Sequence, residues 1–220
     1  MKFKTPLIII IAILIVDQAL KFWIKTNFVI GEEIHVIGDW FILHFLENKG
    51  MAYGLSFGGD LGKVILTLFR LVAVIFGFYI IKRLIQAKYH KGLIICASMI
   101  LAGAMGNLID SLFYGLLFSA STPYHLAQFL PEAGGYASFL HGKVVDMFYF
   151  PIYKGFLPEW IPFKGGDYFI FFQPVFNIAD ASISVGVIII LLFQKTFFKH
   201  NGNKQVADKN KITEVTSSKS

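Results

Sequence analysis

Two aspartates stand out by their surroundings. Asp146 lies in GKVVDMFYF, a strand-like run with apolar residues on both sides. Asp180 lies in FNIADASISV, at the head of the last long apolar run. A carboxylate near lipid is costly, and ionisable groups inside membrane segments are functional candidates by default. Two carboxylates a few ångströms apart cannot both ionise easily, so one keeps its proton. One then acts as base on a water while the other donates to a carbonyl oxygen. That is the amide-hydrolysing chemistry of an aspartic protease, which uses no metal, cofactor or covalent intermediate.

Further polar residues recur at helical spacing inside apolar runs. Asp17 and Lys21 are four apart, so they share a helix face and can pair. Gly103, Asn107 and Asp110 follow at i, i+4 and i+7, and Gly106 adds a second small residue that allows close helix approach. Asn177, Asp180 and Ser184 are three and four apart.

The elements that must position these groups are membrane helices. The 220-residue chain is 55% hydrophobic and 15% charged, where a soluble domain is nearer a quarter charged. Its mean hydropathy is +0.63. Runs of about 20 apolar residues can span a bilayer. Four are expected, at about 6–24, 64–81, 93–114 and 178–194. The last is short, and its first turn is expected near Pro174, since proline suits an early helix position. No small-x-small cleavage site follows the first run; Asp17, Gln18 and Lys21 do, so a retained helix is expected rather than a secretory leader.

Lys82, Arg83, Lys88 and Lys91 fill the link between runs two and three, and Lys195, Lys199, Lys204, Lys209 and Lys211 follow run four. Basic residues favour the cytoplasmic side, so both termini are expected inside and both larger loops (about 27–62 and 115–173) outside. The same clustering explains the net charge of +6 without nucleic acid. The single cysteine, Cys96, has no internal disulfide partner and suits a small buried apolar position. On this topology Asp17 stands roughly 20 Å above Lys4, Asn107 about 24 Å above Lys91 and Asp180 about 22 Å above Lys195. All three fall in the outer half of a hydrocarbon core about 30 Å thick.

In the outer loops, residues 33–37 and 40–46 around Gly38-Asp39 predict a β-hairpin. Residues 144–150 and 168–172 are further strand candidates, giving a small antiparallel sheet on the outer surface. Residues 119–142, rich in Gly, Ser, Pro and aromatics, predict an irregular flap. The expected fold is thus a mainly α membrane protein with four transmembrane helices, an extracytoplasmic β-sheet and an outer loop insertion. One membrane-embedded domain occupies 1–200, and residues 201–220 form a polar, disordered tail.

Five segments together resemble the bacterial lipoprotein signal peptidases (signal peptidase II): DQALK (17–21), ENKGMAYG (47–54), GAMGNLID (103–110), VVDM (144–147) and FNIAD (176–180). The resemblance implies a four-helix inner-membrane aspartyl endopeptidase with an outer β-cradle. That family removes the signal peptide from prolipoproteins, cutting before a cysteine that already carries diacylglycerol, and is the target of globomycin-type inhibitors. It implies Asp146 and Asp180 as the catalytic dyad. Asn48, Gly50, Asn107, Asn177 and Ala179 fall at positions that line the family's site. Asp17 and Lys21 match a structural or substrate-positioning pair, with Gly103, Gly106 and Asp110 in supporting roles. No cofactor or metal is implied, the expected partners are prolipoprotein substrates and membrane lipid, and one chain carries every residue the mechanism needs, so a monomer is expected.

Two features depart from the family pattern. Ser111 follows Asp110 where the family often has arginine, and residues 115–143 read as an insertion of unknown role. Arg70, in the outer third of run two, is one candidate to supply that arginine's charge, although snorkelling toward headgroups is the favoured expectation. Two other classes stay open. A proton or ion transporter predicts carboxylates along a continuous path, yet the inner halves of all four runs are almost entirely apolar. A scaffold whose polar groups merely join helices leaves the loop aspartate Asp146 unexplained.

Overall fold

The computed structural model describes residues 3–49, 59–162 and 165–199. Gly50, the rest of the ENKGMAYG segment and the tail from 201 lie outside the described residues. Helices α1 (Lys4–Asn27), α2 (Gly59–Gln86) and α3 (Lys91–Ile109) follow the first three apolar runs. A π-helical turn (Asp110–Tyr114) and a short α4 (Gly115–Leu117) extend α3. The fourth run is α5 (Ile178–Leu192), followed by α6 (Gln194–Phe197). The first three are long and apolar enough to cross a membrane, whereas α5 has 15 residues.

Helix α3 is the axis of the bundle. Burial reaches 56% of its apolar window, against 22% for α1 and 17% for α2, so the outer two present most of their surface to lipid. Ile8, Ile15, Ile65, Phe69 and Ile75 lie on that exposed apolar belt, and Ile188 and Leu192 of α5 are exposed likewise. Between the helices a core forms from Ile10, Val74, Ile81, Ile94, Leu101, Ala102 and Leu108. Glycine lets α3 approach its neighbours. A Cβ on Gly103 would run into the Ala179 carbonyl oxygen, and one on Gly106 would lie 2.6 Å from Asp17 Oδ2. Cys96 is buried beside Leu93 and Phe197.

The hairpin is present as β1 (Glu33–Ile37) and β2 (Phe41–Asn48), turning at Gly38 with a positive φ of 49°. β2 pairs with β3 (Val144–Tyr149), and β3 with β6 (Val175–Phe176), all antiparallel in the order β1-β2-β3-β6. Two expectations change. Residues 168–171 form β5 (Tyr168–Phe171), but it pairs with β4 (Tyr153–Phe156) in a separate two-stranded sheet. Pro174 does not open the last helix. It precedes β6, and α5 starts only after Asn177, whose side chain accepts from Asp180 N in a capping box.

The insertion has a structural role. The last carbonyls of a helix lack intrahelical donors and are costly to leave bare near lipid. Here Gly142 N donates to Ser111 O (3.0 Å), Ala137 N to Gly115 O (2.9 Å), Leu130 N to Leu117 O (2.7 Å) and Tyr136 N to Phe118 O (2.9 Å). The irregular segment is thus a cap for the C-terminal end of α3 and its extension, and it packs Phe118 and Tyr114 against Ile24, Phe28, Phe45, Val145 and Met147.

The glycine contacts set a prediction. Gly106→Val should cost about 1–3 kcal/mol by overpacking, read as a lower thermal midpoint in detergent. Gly77→Ala, which meets only the movable Leu101 side chain, should cost less.

Candidate functional site

The site is assembled where the C-terminal ends of α1 and α3 and the N-terminal end of α5 meet β3. The register places Phe148 opposite Phe176, so Asp146, two residues back on β3, faces the first turn of α5. Asn177 sits between the two aspartates. Its amide nitrogen donates to Asp146 Oδ1 (2.7 Å), to Asn107 Oδ1 (3.2 Å) and to Val145 O (3.2 Å). Its Oδ1 accepts from Asp180 N (2.9 Å). Asn107 Nδ2 donates to Asp180 Oδ1 at 2.7 Å, and Asp180 Oδ2 accepts from Asn177 N at 3.4 Å. Asn48, at the end of β2, donates through Nδ2 to Asp146 Oδ2.

Asp146 is 3% exposed. Burial and the nearby charge of Asp180 push its carboxyl up to about 7, against the hydrogen bonds from Asn177 and Asn48 and the charge of Lys21.

Beneath the aspartates lies a buried ion network. Lys21 is 0% exposed, and its ammonium contacts Asp110 Oδ2 (2.8 Å), Asn107 Oδ1 (2.9 Å) and Asp17 Oδ2 (3.0 Å). These three acceptors match its three donors. Asp17 Oδ1 accepts from Ala179 N (2.9 Å), and Asp110 Oδ2 from Val145 N (3.4 Å). Ala179 therefore acts through its backbone, with its side chain packed beneath Gly106.

The structure brings together the described residues that the family resemblance assigns to the site: Asp17, Lys21, Asn48, Gly103, Gly106, Asn107, Asp110, Asp146, Asn177, Ala179 and Asp180. It adds several that sequence reasoning missed. Gln18 donates to Asp17 Oδ2 (3.1 Å), Asp110 Oδ1 (2.9 Å) and Gly106 O (3.3 Å), and accepts from the Tyr114 hydroxyl (3.2 Å). Its place inside DQALK was the available signal. Lys25, fully buried, pairs with Glu47, which also accepts from Ser121 (2.8 Å) and Lys143 (3.1 Å). Burial pushes the Glu47 carboxyl up, but these cations and the Ser121 hydroxyl outweigh it and hold it below its ordinary range. Lys25 is one turn beyond Lys21, and Glu47 adjoins Asn48; only the fold joins them. Arg70 corrects an expectation: it turns inward, donating to Ser111 Oγ at 3.1 Å, instead of snorkelling outward.

Apolar helices enclosing a polar, carboxylate-bearing cluster define a multi-pass membrane protein with a buried polar site. Comparison with known proteins gives the family. A model of signal peptidase (SPase) II matches residues 9–197. The lipoprotein signal peptidase of Porphyromonas gingivalis is 47% identical over 190 residues, covering 86% of this chain and 82% of that protein. The lipoprotein signal peptidase of Amoebophilus asiaticus is 37% identical over 207 residues, covering 93% and 81%. A bacterial membrane enzyme solved by the in meso method at 2.3 Å matches with a TM-score of 0.53 and 25% identity, over 88% of this chain and 90% of that one. The chain belongs to the signal peptidase II family of peptidases.

Lys21 offers the sharpest test of the network. Removing one partner of a buried ion group costs about 3–5 kcal/mol, so Lys21→Met should strongly lower stability in detergent denaturation. Adding Asp110→Asn should recover part of the loss.

Proposed function

We propose that this chain removes signal peptides from diacylglyceryl-modified prolipoproteins, with Asp146 and Asp180 as an aspartyl dyad. The observation that supports it most is their shared clamp: Asn177 bonds both aspartates, and Asn107 bonds Asp180 and Asn177. The substrate class follows from the family and from the names of its relatives. Burial of Asp146 beside a second carboxylate supports one shared proton between them.

In the proposed reaction the signal helix enters laterally from lipid and its scissile peptide lies between the aspartates. Asp180 takes a proton from a water whose oxygen forms the new C–O bond. Asp146 gives its proton to the carbonyl oxygen, producing a neutral tetrahedral diol. Collapse of the diol breaks the C–N bond as a proton passes to the leaving nitrogen. The products are the signal peptide's new carboxylate and the free amino group of the lipidated cysteine. Asn48, with Gly50 beyond the described residues, is assigned to substrate backbone, whose polar groups need partners in an apolar setting.

The proposed setting is the bacterial inner membrane, with both termini cytoplasmic and the dyad toward the outer face. The remaining partners are lipid and globomycin-type inhibitors at the dyad, and the working form is a monomer.

Asp146→Asn and Asp180→Asn should each abolish cleavage of a lipidated precursor, by a gel-shift assay with purified protein, while the protein still inserts. Cleavage by either variant at the normal rate contradicts the dyad. The wild-type rate should also fall on the alkaline side near pH 7. Asp146 holds its proton below about 7 and loses it above, which removes the acid from the pair.

A further inference from the structure

Helix α2 carries a polar stripe that the proposed reaction does not use. Lys63, Thr67 and Arg70 sit at i, i+4 and i+7, so they share a face. Lys63 is 4% exposed and Thr67 fully buried. Thr67 Oγ1 shares its one proton between Lys63 O (2.9 Å) and Leu140 O of the insertion (3.2 Å). The two cations converge on one atom: Lys63 Nζ and Arg70 Nη1 each donate to Ser111 Oγ at 3.1 Å. Ser111 in turn donates to Asn107 O at 2.9 Å, and the Asn107 side chain holds Asp180.

Two cations meeting at one hydroxyl in a low-dielectric site repel each other unless anions offset them. The anions are those of the reaction centre. Arg70 is within electrostatic reach of Asp180, Asp110 and Asp146, and Lys63 of Asp110. Across the packed elements, the charged groups are Asp17, Lys21 and Lys25 on α1, Lys63 and Arg70 on α2, Glu47 on β2 and Lys49 after it, Asp110 in the π-helical turn, Lys143 before β3, Asp146 on β3 and Asp180 on α5. With one proton shared by the dyad, the four aspartates carry three negative charges. Lys21, Lys63 and Arg70 are the cations hydrogen-bonded into the same network, whereas Lys25 and Lys143 pair with Glu47.

We propose that Arg70, seated with Lys63 on Ser111, is a positioning residue that balances the charge of the Asp146–Asp180 pair and, through Ser111 and Asn107, fixes the placement of Asp180. The inference rests on the dyad reading above. It assigns α2 a part in the reaction, where its exposed apolar surface alone suggests a lipid-facing strut.

The test is the pH profile of kcat for purified full-length protein on a diacylglyceryl-modified prolipoprotein in micelles. Loss of a nearby cation disfavours ionised carboxylates, so Arg70→Gln should move the whole profile to higher pH, by about one unit. Arg70→Lys should restore the wild-type position. Ser111→Ala keeps both cations but removes their anchor. It should lower kcat on the order of tenfold, the effect of about 1.4 kcal/mol, with KM little changed. If Arg70→Gln does not fold, Arg70→Lys and Ser111→Ala carry the test. A profile that only shrinks without moving in Arg70→Gln overturns the inference, as does a wild-type kcat in Ser111→Ala or failure of Arg70→Lys to restore the position. Asp180→Asn separates the two levels: a cleaving Asp180→Asn removes the dyad itself. An inactive Asp180→Asn beside an unshifted Arg70→Gln removes only the role of Arg70.

Discussion

The ammonium of Lys21 is the constraint on which the site depends. A charge withdrawn from water costs several kcal/mol unless its partners are complete. Here the partners come from two helices, and each partner holds something else. Asp17 receives the backbone of Ala179, which seats the first turn of α5. Asp110 receives the backbone of Val145, which seats β3 one residue before Asp146. Asn107 reaches Asp180 directly. One buried cation therefore fixes the strand and the helix that carry the two aspartates. The glycines of α3 allow this, because a side chain at Gly106 would occupy the space of the Asp17 carboxylate.

The two aspartates sit in different local structures, and that difference suits an acid and a base. Asp180 is in the first turn of a helix, where backbone N–H groups point toward negative charge. It is also the third residue of a capping box, so part of its place is purely structural. Asp146 is on a buried strand between two asparagine amides, facing another carboxylate. A structural cap alone explains Asp180 but not Asp146, whose burial has no folding benefit in view. Asn177 and Asn107 join the two in one hydrogen-bonded cluster.

Much of this was legible in the sequence because it is local. The apolar runs announce α1, α2 and α3, and the spacing of Asp17 with Lys21, or Asn107 with Gly103, places each pair on one face. Depth along each helix put polar groups of three helices at one level. What stayed hidden depends on tertiary partners. Arg70 reads as a snorkelling residue until Ser111, on another helix, supplies its acceptor. Lys25 and Glu47 are 22 residues apart, and only the β2 register and the insertion bring them together. Strand β6 is two residues long, too short for an alternation pattern, and Pro174 before it imitates a helix start. The capping asparagine, Asn177, marks the true start of α5. The insertion at 115–143 carries no motif, because much of its work is done by backbone amides, and its need for glycine at 135 and 142 shows only once those amides meet the end of α3.

The claim that the buried pair shares one proton can be measured without substrate. Aspartate carboxyl carbons labelled with 13C in the detergent-solubilised protein report protonation directly by NMR. One carboxyl should stay protonated at pH 6, titrate near 7, and be missing from the spectrum of Asp146→Asn. Titration of every wild-type aspartate below pH 5 would contradict the account.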